Sequence, residues 1–227
     1  MRILTPWFAF LAVPEPRAVL GLLEAAARTC YKSEDKMAPG SAETLLRRIL
    51  RLGHESVIEH CAITVRLVCD RGVSHELVRH RLCSFSQEST RYANYAGERF
   101  GREITVIRPL FWSEDTAQYR VWLQAMAAAE QAYLELVDSG ASPQEARSVL
   151  PQSLKTEVVM TANLRQWRHI FALRCAPAAH PQMRQIMLPL LMACQRRVPI
   201  VFDDLAEEFA AAAAGLGPAA ASEGESS

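Results

Sequence analysis

The stretch "CAITVRLVCD" (residues 61–70), followed by "GVSHELVRHRL" (residues 72–82), decides the fold. Between Ile63 and Leu67 the apolar residues alternate with polar neighbours, which is typical of a β-strand with one buried face. The second stretch has helical character, and Ser74 is predicted to be its N-cap. We therefore expect a strand that is followed at once by a helix.

The rest of the chain mixes strands and helices without a strict βαβ rhythm. Further strands are predicted in "MRILTPWFAFL", "REITVIRP" and "TEVVMTAN". Helices are predicted in "EPRAVLGLLEAAARTCY", "SAETLLRRILRLGHESVIEH", "PQEARSVL", "LRQWRHIFALR", "PQMRQIMLPLLMACQRR" and in a long segment that stops at Gly140; the second of these helices is predicted to break near Gly53. This mixture indicates an α+β fold with a mostly antiparallel sheet flanked by helices. We expect one domain over residues 1–209 and a disordered tail, rich in Ala, Gly and Ser, over residues 210–227.

The composition limits the possible partners. The 227 residues carry a formal net charge of zero, which argues against a general nucleic-acid or membrane-surface binder. No apolar run reaches the roughly 18 residues of a membrane span, and no signal peptide is apparent, so we expect a cytoplasmic protein. The six cysteines form no CxxC pair and predict free thiols, and the six histidines are not matched to cysteine pairs, so no metal site is expected.

The basic residues are almost all arginine, since only Lys32, Lys36 and Lys155 are lysines among 25. A GC-rich genome explains this equally well as planar, bidentate capture of phosphate or carboxylate by guanidinium groups. The chain contains neither GxGxxG nor GxxxxGK[ST]. If a nucleotide cofactor binds, arginines rather than a glycine-rich loop must hold its phosphates.

Four basic residues and several hydroxyls crowd the segment "RHRLCSFSQESTRY" (residues 79–92). On a helix that continues to Leu82, Arg79 and Arg81 point in roughly opposite directions, which suggests two ligands, or one ligand and a neighbouring subunit. The hydroxyl and amide side chains after Leu82 suit a phosphate and a polar ring. The alternative is a solvated basic helix followed by a polar loop.

Arg174 is the second candidate, because it falls on the apolar stripe of the helix "LRQWRHIFALR". An unpaired, buried guanidinium costs several kcal/mol. Either a structural carboxylate or a bound anionic ligand must therefore meet Arg174.

The motifs together resemble the flavin-dependent thymidylate synthases. Arg79-His80-Arg81, seven residues and then Ser89, with Arg91 and Tyr92 behind it, is similar to the signature of that family. The resemblance includes "HESVIEH" upstream, "ARSVLP" around Arg147, and Asn163-x-Arg165 leading to Arg174. It spans most of the chain, and Glu76 stands where some members have Gln.

This resemblance implies homotetramers with an α+β fold, whose active sites lie between subunits and methylate dUMP to dTMP. It also implies methylenetetrahydrofolate as carbon donor, FAD as hydride carrier and NADPH as reductant. Arg174 would be the catalytic residue that polarises the uracil and favours loss of its ring proton. The implied FAD contacts are Ser56, Arg79, His80, Arg81, Gln87, Asn163, Arg165 and His169. The implied dUMP contacts are Glu76, Leu77, Val78, Arg79, Gln87, Glu88, Ser89, Thr90, Arg91, Arg147 and Arg174.

Two other functions compete with this one. A non-catalytic nucleotide- or RNA-binding protein could use the same arginines for phosphate contacts, although zero net charge and the lack of exposed aromatic platforms near the basic segment count against it. Another flavoprotein reductase is the enzymatic alternative. A flavin absorption spectrum would separate the two enzymes from the binding protein.

Overall fold

The computed structural model describes residues 1–217 and 220–224, and within these residues seven strands form two sheets. The strands are β1 (Arg2–Leu4), β2 (Trp7–Ala12), β3 (Ala62–Asp70), β4 (Ser84–Gln87), β5 (Thr105–Ile107), β6 (Lys155–Asn163) and β7 (Ser222–Glu223). β1 pairs with β5 in parallel, and the larger sheet has the order β4-β6-β3-β2-β7. Its last pair, β2 with β7, is also parallel. The prediction of a mostly antiparallel sheet is therefore corrected to a mixed one, because alternation defines the faces of a strand but not its partner's direction.

Helices flank the sheets. They are α1 (Pro16–Tyr31), α2 (Ser41–Arg51), α3 (Arg71–Leu77), α4 (Ala117–Asp138), α5 (Pro143–Ala146), α6 (Leu164–Arg174), α7 (Pro181–Arg197) and α8 (Asp203–Gly215). Short 3₁₀ helices cover Glu34–Lys36, Glu55–His60, Glu98–Phe100 and Arg147–Val149. Among the described residues, no helix is both long and apolar enough to cross a bilayer.

The main core lies between β3 and the helices α6 and α7. Ile63, Leu67, Trp167 and Phe171 are all fully buried there, which confirms the predicted inward faces of the strand and the helix. The Trp167 indole Nε1 donates a hydrogen bond of 3.1 Å to the backbone oxygen of Ile63. This contact fixes α6 on the sheet, and it thereby fixes the position of Arg174 at the end of α6.

The helix after β3 is shorter than predicted. α3 ends at Leu77, and its N-cap is Asp70, whose carboxylate accepts from the Val73 amide, rather than Ser74. The next residues turn, and Ser84 to Gln87 then pair with β6 as the edge strand β4. A strand pairing with residues far along the chain overrides the local helical pattern here.

The predicted disordered tail is wrong for most of its length. α8 continues to Gly215, because alanine is the best helix former, and the buried Phe209 lies on this helix. Ser222 and Glu223 then pair with β2, and the Gly224 amide donates to the Phe8 carbonyl. A Cβ at Gly224 would lie 2.7 Å from Trp7 Cε3, so this approach requires glycine. Residues 218–219 and 225–227 of the predicted tail lie outside the described residues.

Candidate functional site

Arg174, at the C-terminal end of α6, is held by the segment that follows β3. Its Nη1 donates to Glu76 Oε2 at 2.6 Å, and its Nη2 donates to the Glu76 carbonyl at 3.1 Å. Its Nε donates to His80 Nε2 at 3.0 Å. The side chain is only 16 % exposed, so its charge is poorly screened by water. A structural carboxylate thus meets Arg174, and the contacts to Glu76 and His80 together use three of the five guanidinium N–H groups.

His80 is a neutral acceptor in this cluster. Burial lowers the pKa of its imidazole to about 4, and the neighbouring charges of Arg174 and His169 act in the same direction. Because Arg174 Nε donates to Nε2, the ring proton must sit on Nδ1. The His80 ring lies 6.0 Å from the His169 ring, centroid to centroid, in an edge-to-face arrangement. This contact links Arg174 to the cleft that His169 lines.

The first cleft encloses about 770 Å³ between α6 and the 3₁₀ helix Glu55–His60. Asn163, Arg165 and His169, three of the residues implied for FAD, line it. Arg165 donates to Glu59 at 2.6 Å in an exposed ion pair, which is weak in water and leaves the guanidinium available to a competing anion. The Asn163 side chain accepts from the Gln166 amide at 2.8 Å and caps α6. Its amide nitrogen therefore remains the group that can face a ligand.

Sequence reasoning missed Arg168, which also lines the first cleft. Its guanidinium donates to Glu55 at 3.0 Å and to both carboxylate oxygens of Asp204 at 2.7 Å. Burial opposes its charge, but the hydrogen bonds and charges of Asp204 and Glu55 raise its pKa. Arg168 thus connects α6 to α8 through its ion pair with Asp204, and its side chain forms part of the lining of the first cleft.

The second cleft is smaller, about 280 Å³, and lies beside α3. Thr90 and Arg147 line it, as implied for dUMP, and Arg147 Nη1 lies 3.5 Å from Thr90 Oγ1. Arg71 and His75 line it as well, although the sequence singled out neither. The cleft is therefore strongly basic.

The third cleft, about 510 Å³, lies along β4 and contains Gln87, Glu88 and Ser89. Gln87 Nε2 donates to Ser74 Oγ at 2.9 Å, which turns its amide inward. Glu88 accepts from Lys155 Nζ at 2.9 Å and from the Tyr95 hydroxyl at 3.1 Å. Further lining residues that the sequence did not indicate are Arg66, Arg99 and Lys155.

One chain does not bring the implied residues into one place. Glu76, His80 and Arg174 touch one another, whereas Gln87 to Ser89, Thr90 with Arg147, and Asn163 with Arg165 and His169 lie in three separate clefts. Leu77 is buried in the core. The implied residues that are exposed and line none of these three clefts are Ser56, Val78, Arg79, Arg81 and Arg91.

Comparisons with known proteins agree on one family. Residues 18–200 match the family described as thymidylate synthase complementing protein. The flavin-dependent thymidylate synthase of Geobacter sulfurreducens is 35 % identical over 198 residues, which cover 84 % of this chain and 82 % of the relative. That of Corynebacterium aurimucosum is 36 % identical over 201 residues, 81 % of this chain and 78 % of the relative.

The fold also has a counterpart among solved structures. The UMP/dUMP methylase PolB from Streptomyces cacaoi, bound with 5-Br dUMP, superposes with a TM-score of 0.74 at 25 % sequence identity. The match covers 92 % of this chain and 98 % of the other. The architecture described above is thus that of a known nucleotide-methylating protein.

Proposed function

The chain belongs to the thymidylate synthase complementing protein family, as a relative of the flavin-dependent thymidylate synthases, and we propose that it methylates dUMP to dTMP. In this proposal FAD carries the hydride, methylenetetrahydrofolate donates the carbon and NADPH is the reductant. The family match and the similarity to a dUMP methylase support the reaction. We further propose that the enzyme works in the cytoplasm.

The observation that carries the proposal is the restraint of Arg174 by Glu76 and His80. Three hydrogen bonds fix a poorly exposed guanidinium, and two of its N–H groups remain for an oxygen of the uracil ring. Polarisation of the ring towards loss of its proton draws electron density onto such an oxygen, and a fixed cation in a water-poor site stabilises that charge more than it stabilises the unpolarised ring. Arg174 is therefore proposed as the catalytic residue.

The first cleft fits a flavin nucleotide. Its volume of about 770 Å³ is within the range of ligand pockets, and the exposed Arg165–Glu59 pair can open to admit a phosphate. When bound there, a flavin supplies the hydride that reduces the methyl precursor. Asn163, Arg165, His169 and Ser56 would hold it from one side, and Arg79, His80, Arg81 and Gln87 are proposed to contribute from the same or other subunits.

The proposed substrate site uses residues that one chain keeps apart. Glu76, Leu77, Val78 and Arg79 would meet dUMP near Arg174, and Gln87, Glu88, Ser89, Thr90, Arg91 and Arg147 would surround it. Because Arg79, Arg81 and Arg91 are exposed and the three clefts are distinct, we propose a homotetramer in which neighbouring subunits complete each active site.

The test begins with the purified protein as isolated. It should be yellow, release FAD on denaturation and form dTMP from dUMP when NADPH and methylenetetrahydrofolate are both supplied. Omission of either co-substrate should abolish product. Colourless protein whose spectrum does not change when FAD is added would support a nucleotide-binding protein instead.

A further inference from the structure

Lys155 and Tyr95, which belong to none of the implied ligand contacts, hold the carboxylate of Glu88. Lys155 Nζ donates to Glu88 Oε2 at 2.9 Å, and the Tyr95 hydroxyl donates to Glu88 Oε1 at 3.1 Å. The side chains of Lys155 and Glu88 are each 18 % exposed, so water screens their attraction less than that of a surface pair. Each carboxylate oxygen of Glu88 thus already has a donor from the protein.

Glu88 is the first residue of the substrate segment, defined as residues 88–91, which carries implied dUMP contacts. The segment follows directly on β4, and the Glu88 amide still donates to the Glu157 carbonyl on β6 at 2.9 Å. After Glu88 the backbone turns on itself, since the Tyr92 amide donates to the Ser89 carbonyl at 3.1 Å. The pairing with β6 therefore stops supporting the backbone where the dUMP contacts begin.

Few side chains connect the substrate segment to other elements. Within the part of the chain that the structure describes, such hydrogen bonds come from Glu88 and from Thr90, whose hydroxyl lies 3.5 Å from Arg147 Nη1. The contact of Thr90 is long for a hydrogen bond, and both of its residues belong to the proposed dUMP site. The carboxylate of Glu88 is therefore the main side-chain connection between the substrate segment and the rest of the fold.

The Tyr95 hydroxyl is a fixed donor. Its ring is buried and packs edge-to-face on Phe100 and Tyr133, with centroids 5.1 Å and 5.6 Å away. The Tyr95 amide also donates to the Tyr133 hydroxyl at 3.3 Å. Burial raises the pKa of the Tyr95 phenol, and the charge of Glu88 acts in the same direction, so the phenol keeps its proton.

Lys155 holds Glu88 from the first residue of β6. Its Nζ also donates to Glu157 Oε1 at 2.6 Å. Burial opposes the charge of the ammonium group, but hydrogen bonds with Glu157 and Glu88 raise its pKa, so Lys155 is a cation at neutral pH. Because β6 pairs with β3 along its whole length, Lys155 projects from a well supported strand.

We propose that Lys155 and Tyr95 are positioning residues for dUMP, which act through Glu88 on the substrate segment. The inference rests on the proposed function, because the residues that follow Glu88 are implied dUMP contacts. A segment that is fixed before its ligand arrives loses less freedom on binding. The two donors thus increase the affinity for dUMP without touching the nucleotide. Neither donor belongs to the implied flavin contacts, so FAD binding should not depend on them.

The main test variant is Tyr95→Phe, which removes one hydroxyl and keeps the packed ring. Its matched control is Tyr119→Phe, because Tyr119 is a buried tyrosine of the same apolar cluster and its ring packs on Trp122. Calorimetry of the FAD-loaded proteins measures the dUMP dissociation constant. Steady-state dTMP formation gives kcat and the KM for dUMP, and the flavin spectrum and melting temperature are recorded for each protein.

Tyr95→Phe should weaken dUMP binding about threefold to tenfold, as expected for one hydrogen bond. The KM for dUMP should rise accordingly, with kcat and the flavin spectrum nearly unchanged. Lys155→Met should weaken dUMP binding at least as much, and Lys155→Arg, which keeps a cationic donor, should restore most of the affinity. Tyr119→Phe should bind dUMP like the wild type.

A double-mutant cycle with Glu88→Ala tests whether Tyr95 acts through Glu88. Once the carboxylate is absent, Tyr95→Phe should change the dUMP dissociation constant by less than about twofold. Independent losses that multiply in the double variant would contradict the proposal, because Tyr95 would then act by another route.

Three further results would overturn the proposal. Lower melting temperatures with unchanged dUMP affinity in Tyr95→Phe and Lys155→Met would give the two residues a purely structural role. An equal loss of dUMP affinity in Tyr119→Phe would show a general loosening of the apolar cluster. No restoration in Lys155→Arg would mean that the cation is not what holds Glu88. A wild type that neither binds dUMP nor forms dTMP would instead refute the proposed function itself.

Discussion

Glu76 accepts two hydrogen bonds from the Arg174 guanidinium: its carboxylate accepts from Nη1 at 2.6 Å, and its backbone oxygen accepts from Nη2 at 3.1 Å. The two residues are 98 positions apart in the sequence, on α6 and at the end of α3. Glu76 thus orients the proposed catalytic cation and also offsets part of its charge. A glutamine at this position would orient Arg174 without offsetting its positive charge.

Substitutions of Glu76 separate these two effects. Glu76→Gln keeps a side-chain acceptor for Arg174 and should retain turnover within about tenfold. Glu76→Ala removes the carboxylate contact, leaves the guanidinium only the backbone oxygen of residue 76 and His80, and should lower kcat/KM by roughly tenfold to a hundredfold. Steady-state dTMP formation by both variants checks this, with the flavin spectrum as a control for folding. Equal losses in the two variants would mean that the orientation of Arg174 by this side chain is unimportant.

Replacement of Arg174 should affect the substrate and spare the flavin. In Arg174→Ala we expect a normal FAD spectrum, with dUMP binding and turnover weakened by at least ~1.5–3 kcal/mol. Arg168→Ala is the contrasting variant, because Arg168 bridges α6 and α8 and its loss should mainly lower the melting temperature. If Arg174→Ala kept full dUMP affinity and rate, its pair with Glu76 would be purely structural.

Neither Cys83 nor Ser89 is expected to act as a nucleophile. Burial raises the pKa of the Cys83 thiol to about 11, so almost no thiolate exists near neutral pH. Ser89 Oγ accepts from the Arg91 amide at 3.3 Å, a contact that does not activate a hydroxyl. Cys83→Ala should keep substantial activity, and Ser89→Ala should impair dUMP positioning without abolishing turnover.

Mass spectrometry of acid-quenched reactions gives the matching test for these two residues. No uracil should be attached to a peptide that contains Cys83 or Ser89. Such an adduct, together with an inactive variant of the same residue, would require a covalent mechanism.

His80 should make the protein sensitive to acid. The pKa of its imidazole is about 4 in the folded chain and roughly 6.5 in an unfolded one, so only the unfolded chain takes up this proton between those values. The stabilisation that comes from keeping His80 neutral is therefore fully present above pH ~6.5. As the pH falls from there towards 4, the free energy of unfolding decreases by up to about 1.4 kcal/mol per pH unit. His80→Gln retains an acceptor for Arg174 and should flatten this part of the profile.

Urea unfolding of the wild type and His80→Gln from pH 8 to pH 4 measures the difference. Both proteins should respond similarly between pH 8 and 7, where the His80 ring is mostly neutral in the folded and the unfolded chain. Parallel curves down to pH 4 would show that His80 is not kept neutral by its surroundings.

Local sequence patterns predicted the helices and strands that carry the site. The features that these patterns did not predict depend on contacts between residues far apart in the sequence. α6 and α7 cover the same stretches as the helices predicted there from the sequence. The early end of α3 depends on the pairing of Ser84 to Gln87 with β6, and β7 depends on Gly224 fitting against Trp7. No spacing rule connects such distant residues.

For the candidate site too, the sequence predicted some features, and others depend on contacts in the folded chain. The position of Arg174 on an apolar stripe predicted that it needs a partner, but Glu76 and His80 as the partners could be found only in the folded chain. Arginine-rich composition alone does not separate a residue such as Arg174 from a solvated arginine.

The central claim is that this chain replaces the C5 proton of dUMP with a methyl group. Tritium release from dUMP labelled at C5 tests it most directly, in the FAD-loaded protein with NADPH and methylenetetrahydrofolate. We predict release in step with dTMP formation, dependent on methylenetetrahydrofolate and strongly reduced in Arg174→Ala. FAD-loaded protein that binds dUMP but releases no tritium and forms no dTMP would contradict the account.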